Sequence, residues 1–224
     1  MSATTPLSSA PTTVDSATGR GRKVSISRDD IITAALKLLG PHRSVSTLSL
    51  REVAREAGIA PNSFYRHFHD MDELAIALIE MAGASLRSIV GEARQRATLE
   101  RSVVRSSVET FMEQLDADDK LLHMLLREGT AGSDAFKQAV EKQLSDFEDE
   151  LQVDLARLAA HNKTGMYDPA LTAKAITRLV FAIGATAMDL PKAQRASVTE
   201  QLTIMVRMIV VGTQTMATSD TVRM

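Results

Sequence analysis

The stretch "SLREVAREAGIAPNSFYRHF", residues 49–68, decides how the rest of the chain is read. Ser49 and Glu52 have the Ser-x-x-Glu spacing of a capping box, in which two otherwise orphaned backbone N–H groups are satisfied reciprocally. Leu50, Val53, Ala54 and Ala57 then recur along one helix face. Gly58 ends that helix. Pro61 suits the first position of a second one, where a missing N–H costs nothing. Two short helices joined by a tight turn make a helix-turn-helix. The second helix of such a pair lies in the major groove of DNA and points its N-terminal side chains at base edges. Those side chains are Pro61, Asn62, Ser63, Tyr65, Arg66 and His67. Ser49 and Arg51 begin the first helix, whose N-terminus suits a phosphate. Val53, Ala54, Ile59, Phe64 and Phe68 are core positions.

Upstream, Ser27 caps a bracing helix over 27–39, with Asp29 and Asp30 in its first turn, where the helix dipole favours negative charge. Ile31, Ala34, Ala35, Leu38 and Leu39 form its stripe, and Gly40-Pro41 stops it. "GRGRK", residues 19–23, precedes it. Flexible arginine-rich arms enter narrow minor grooves, and Arg20, Arg22 and Lys23 are read as such an arm, the alternative being a solvated linker with incidental charge. Residues 1 to about 19 are Ser, Thr, Ala and Pro with little to bury, and read as a disordered tail.

Downstream, Asp70 caps a long helix to about residue 97, with Glu73 in its first turn and Leu74, Leu78, Met81, Leu86 and Ile89 along it. Val104, Val108, Phe111, Met112 and Leu115 form the next stripe. "LLHMLLRE" is a short apolar helix. Phe136, Val140, Leu144, Phe147, Leu151, Leu155 and Leu158 mark a long one. After the break "HNKTGMYDP" come two last helices, about 169–189 and 192–217. The first is apolar on nearly every side, so burial of both its faces is expected. Strand-rich runs are scarce, and the fold class is all-α.

Charge divides the chain. Residues 1–69 carry 9 Lys/Arg against 5 Asp/Glu, and residues 70–224 carry 17 against 23. A basic end on an acidic body suits an anionic partner such as nucleic acid. Cysteine is absent, which excludes disulfides, thiol nucleophiles and cysteine-ligated zinc. His67 and His69 are two apart and do not share a helix face as metal ligands would. No paired carboxylates, nucleophile triad or phosphate-binding glycine loop stands out. The expectation is no catalysis, no cofactor and no metal. No apolar run approaches the ~18 residues of a membrane span.

Ala57, Gly58, Ile59, Tyr65 and Phe68, followed by Asp72, Glu73 and Leu74, resemble the signature of the TetR family of bacterial repressors. "LSLREVAREAGIAPNSFYRHFHDMDEL" and "LLREGTAGSDAFKQAV" resemble its FabR/DesT subgroup, repressors of unsaturated fatty acid synthesis. The likeness covers residues 46 to about 145. One departure is Met71, where many relatives place a phosphate-binding lysine; the subgroup resembled here also lacks it.

The resemblance implies a two-domain, TetR-like protein of about nine helices. Its parts are a tail and basic arm over 1–22, a DNA-binding domain over 23–70, a ligand-binding and dimerisation domain over 71–217, and a flexible end over 218–224. It implies a cytoplasmic homodimer through the last two helices, a pseudo-palindromic double-stranded DNA operator, and no membrane partner. Ala173, Ala175, Ala182, Gly184, Ala185 and Ala187, with Leu202, Met205, Ile209 and Val210, are the candidates for that interface. The implied effector is a long-chain acyl-CoA or acyl carrier protein thioester, with a drug or catabolic intermediate as the alternative. Phe111, Met112, Leu115, Met124, Leu125, Phe147, Leu151 and Phe181 are candidates to line its tunnel, though the same stripes also serve as core. Arg127 and Glu128 form a switch pair, contact a polar head group, or remain a solvated pair.

Overall fold

The computed structural model describes residues 26–40, 43–97, 100–117 and 120–221. The arm of Arg20, Arg22 and Lys23 lies outside the described residues, as does Pro41. Among the described residues the chain is all-α, with nine helices and no strand. Three short helices form the head: α1 Arg28–Leu38, α2 Leu50–Glu56 and α3 Pro61–Phe64. Six longer ones follow: α4 Met71–Arg96, α5 Glu100–Asp116, α6 Lys120–Ala131, α7 Asp134–Asn162, α8 Pro169–Met188 and α9 Lys192–Thr221.

Helix starts are set by neighbouring side chains. Ser27 and Asp30 close a capping box on α1, and Ser49 and Glu52 close one on α2. The Asp70 carboxylate accepts from Glu73 N at 2.8 Å to begin α4. Gly58 sits at φ 67°, a left-handed turn that glycine enters without steric cost. Arg43 clamps the α1–α2 connection, donating to Thr47 O at 3.0 Å and to a Glu52 carboxylate oxygen at 3.1 Å.

Ile31, Val53, Phe64 and Phe68 are fully buried, and Leu74 and Leu78 of α4 belong to the same continuous core. Through α4 the head is therefore packed onto the body rather than tethered to it. In the body, α4 packs against α5, α6 and α7, α7 against α8, and both α5 and α8 against α9. A Cβ at Gly83 would collide with the side chain of Gln143, so glycine is what lets α4 and α7 approach. Buried Gln143 accepts from Arg87 Nη1 at 2.7 Å across that contact.

Three expectations are revised. Only one face of α8 is buried within the chain; Leu171, Ala175 and Ala182 face outward. Helix α9 continues to Thr221, four residues past the expected end, with the Thr218 and Ser219 hydroxyls donating to Gln214 O and Thr215 O. By length and composition, α4 and α8 are each apolar enough to cross a membrane. Glu80 and Arg87 interrupt the first and Lys174 and Arg178 the second. Both helices are packed into the bundle, and Arg87 and Arg178 are ion-paired to α7.

Candidate functional site

The head presents a cationic, polar face built on α3 and its C-terminal turn. Pro61, Asn62, Tyr65 and Arg66 are exposed, and Ser63 and His67 are half-buried. Tyr65 is 59 % exposed, and its ring is held edge-on against Phe64 at 5.8 Å. A large aromatic in water over a rigid core side chain is well placed for contact. Arg51, Arg55 and Arg66 are exposed and make no ion pair among the described residues. Arg55 was not among the sequence candidates, although its i+4 spacing from Arg51 puts both on one face of α2. The Ser49 hydroxyl is already engaged. It donates to Glu52 Oε2 at 2.9 Å and accepts from Glu52 N at 3.3 Å. Its bonds, with help from Arg43, hold the Glu52 carboxyl below its ordinary range.

The body encloses an apolar chamber of about 100 Å³ between α4, α5, α7, α8 and α9. Phe111, Phe147, Leu151 and Phe181 line it, with Val104, Ile176 and Val206. Ring centroids of Phe111 and Phe147 lie 5.6 and 5.3 Å from Phe181. Met112, Leu115, Met124 and Leu125 are buried but do not border this space. They lie on buried faces of α5 and α6 that pack within the core. The chamber adjoins a groove of about 580 Å³ lined by Arg94, Gln95, Asp154, Arg157 and His161 as well as apolar residues. Ligand pockets usually measure ~300–1,000 Å³. The groove falls in that range, and a ligand entering the chamber must displace phenylalanine rings. Arg127 is half-buried on α6 and borders neither space.

Glu128 is neither solvated nor part of the cavity lining. It is 1 % exposed, and its Oε1 accepts from Ser44 Oγ at 2.7 Å and Val45 N at 3.0 Å. Both donors belong to the α1–α2 connection. Lys120, at the other end of α6, donates to Leu36 O of α1 at 3.2 Å. Helix α6 therefore grips the head at two points.

The outer faces of α8 and α9 form an apolar surface. Met208 is 68 % exposed, and Leu171, Ile204, Met205, Val211 and Met216 are exposed beside it. Leu202 and Val210, expected to contact a partner, are buried in their own chain, as are Ala173 and Ala187. Gly184 also faces inward, where a Cβ would lie 2.8 Å from the Phe111 ring. Helical periodicity marks these positions as apolar without saying which of two buried faces they serve.

Residues 31–78 match the family of bacterial regulatory proteins, tetR family, and residues 100–212 match the tetracyclin repressor-like C-terminal domain. Similar solved structures include FadR from Bacillus subtilis in complex with stearoyl-CoA, at 15 % identity over 83 % of this chain and 99 % of that one, with a TM-score of 0.65. The fatty acid degradation regulator FadR from Bacillus halodurans is similar at 17 % identity over 84 % and 97 %, with a TM-score of 0.64. SmeT in its triclosan complex is similar at 20 % identity over 83 % and 90 %, with a TM-score of 0.63. At such identities the likeness to these structures is one of fold.

Proposed function

The chain belongs to the TetR family of bacterial regulatory proteins, DNA-binding transcription regulators without enzymatic activity, and from that premise we propose that it is a cytoplasmic repressor of fatty acid metabolism genes whose effector is a long-chain acyl thioester. The observation that carries the effector reading is the apolar chamber opening onto a groove with two arginines. An acyl chain fits the first environment and an anionic carrier the second. One of the similar folds is a fatty acid degradation regulator and another, a transcriptional regulator, holds stearoyl-CoA, which is consistent with this reading.

In this reading Pro61, Asn62, Tyr65 and Arg66 face base edges while Arg51 and Arg55 meet phosphates. Two chains pair through α8 and α9 by their exposed apolar faces. That arrangement sets two heads about one DNA turn, ~34 Å, apart or somewhat more. A chain entering the chamber displaces Phe111, which packs on Gly184 near Leu126 of α6. Helix α6 holds the head through Glu128 and Lys120. An effector that favours one head spacing shifts the balance between DNA-bound and free protein.

The test is a titration of operator DNA, from the chain's own upstream region and from fatty acid synthesis or desaturase promoters, at one fixed salt concentration. Runs without effector, with palmitoyl-CoA and with oleoyl-CoA should differ in DNA affinity. Specific DNA binding that neither thioester changes would refute the effector. It would favour the second reading, an apolar drug-like effector, for which the fold shared with the SmeT–triclosan complex is the motivation. The dimer is tested by Met208→Asp, which an isologous interface meets twice. Sedimentation should show monomers, with operator affinity reduced roughly 100-fold or more by loss of bivalency.

A further inference from the structure

We infer that Arg94 is the anchor for an anionic head group, and that the cavity takes an aliphatic chain ending in a carboxylate or phosphate. This rests on the lipid-effector reading above and adds the residue that holds the polar end.

Arg94 stands in the last turn of α4, is 9 % exposed, and borders both the apolar chamber and the polar groove. The other residues bordering both, Val103, Leu151, Leu155 and Leu158, are apolar. Among the described residues, one cation thus sits where hydrocarbon gives way to solvent. Its Nε donates to Asp154 Oδ2 at 2.7 Å on α7. Nη1 and Nη2 have no hydrogen-bond or ion-pair partner among the described residues. Neither terminal nitrogen is a buried unsatisfied atom, and together they present the fork that matches a carboxylate or phosphate.

Asp154 does not neutralise the site. It also accepts from Arg157 Nη2 at 2.6 Å, so two guanidiniums share one carboxylate. Among the described residues Asp154 is the one acid lining either space. Counted over the described residues, the junction therefore carries more guanidinium than carboxylate, with His161 lining the same groove. A purely structural Arg94 needs only its Nε bond to tie α4 to α7. That role leaves the two terminal nitrogens without a protein partner among the described residues, at the edge of a ligand-sized groove.

The two sources of such an anion make different demands. A free fatty acid carries its charge at the first carbon, next to the hydrocarbon. A CoA thioester has a neutral carbonyl there, with its phosphates beyond a long arm that reaches out towards Arg157 and His161.

The test measures binding of oleate, oleoyl-CoA and oleyl alcohol to the full-length protein by calorimetry. Oleate, oleoyl-CoA or both should bind about tenfold or more tighter than the alcohol. Arg94→Met should bring the preferred anion close to the alcohol and leave the alcohol unchanged, while Arg94→Lys keeps part of the preference. Loss confined to oleate identifies a carboxylate; loss confined to the thioester identifies a carrier phosphate. Asp154→Asn guards against a folding artefact. If Arg94 serves only its ion pair, this variant repeats the Met variant; as an anchor, Arg94 keeps or gains anion preference. An anion-to-alcohol ratio that Arg94→Met does not move overturns the anchor while leaving a lipid effector standing. No binding of any of the three overturns both.

Discussion

Arg66 in the head and Arg195 in the body carry the same charge and do opposite work. Arg66 lies exposed at the end of α3 with no ion pair among the described residues. Arg195 is 6 % exposed and donates to Leu115 O, Met188 O, Leu190 O and the Asp116 carboxylate, at 3.0 to 3.2 Å. It joins the end of α5 to the α8–α9 turn. The pattern extends to neighbours: Arg51 and Arg55 join Arg66, while Arg87, Arg105 and Arg178 bridge body helices. In the Arg178 cluster the Glu141 carboxyl is held down and the guanidinium raised by their mutual hydrogen bonds. A cation already bonded on several sides has little left to offer a ligand. One left in water above a rigid core keeps its full capacity for a phosphate or a base. Basic residues in the two regions are therefore not equivalent, and sequence-wide charge counts blur that.

The comparison breaks if these arginines are interchangeable in their effects. Arg195→Ala should cost about 3 kcal/mol of stability, because it removes a donor from three carbonyls and a carboxylate at once. Operator affinity per folded dimer should stay near that of the parent. Arg66→Ala should do the reverse, weakening operator binding by about 1–3 kcal/mol with Tm unchanged. Thermal unfolding and DNA titration of both variants check the crossing pattern. Equal losses in both assays for either variant would collapse the distinction.

Glu128 sharpens the same contrast, because it is where body meets head. Glu128→Ala removes the acceptor of Ser44 Oγ and of the buried Val45 N–H. The expected loss is about 1–3 kcal/mol of stability. Glu128→Gln retains an oxygen that can accept both bonds and should recover much of it. If α6 transmits effector binding, the alanine variant should also lose part of the effector's influence on DNA affinity. A variant with lower Tm but full effector response would reduce Glu128 to packing.

Legibility in the sequence followed the distance between interacting residues. The caps at Ser27, Ser49 and Asp70, Pro61 at the first turn of α3 and Gly58 in the turn are settled by neighbours three or four positions away. All were readable. Periodicity also marked Phe111 and Met112 as buried. It did not say that Phe111 borders a chamber while Met112 does not, because adjacent helix positions differ by about 100° of rotation. Nothing local singled out Arg94, since its partner Asp154 lies 60 residues on. Glu128 read as half of a local pair with Arg127, since Ser44 is 84 residues back. The outward face of α8 stayed hidden for a related reason. Apolar composition looks the same whether its partner is the same chain or another.

The smallest expected effect lies in the head, at the capping box of α2. Ser49→Ala removes the hydroxyl that accepts from Glu52 N and donates to its carboxylate. Loss of such a cap should lower Tm at neutral pH by roughly 2–4 °C. The pH dependence carries the sign. Ser49 and Arg43 hold the folded Glu52 carboxyl below its ordinary 4.5. A group depressed on folding adds stability above its unfolded value and loses it as pH falls through the folded one. The hydroxyl is the largest contributor to that depression, so the parent has more to lose in acid than the variant. The Tm gap between them should narrow as pH falls from 5 towards 3, without closing, because the Glu52 N to Ser49 bond does not titrate. A constant gap would mean that Ser49 acts as a cap alone, and that the carboxylate beside the DNA-reading helix is held by Arg43 and the backbone.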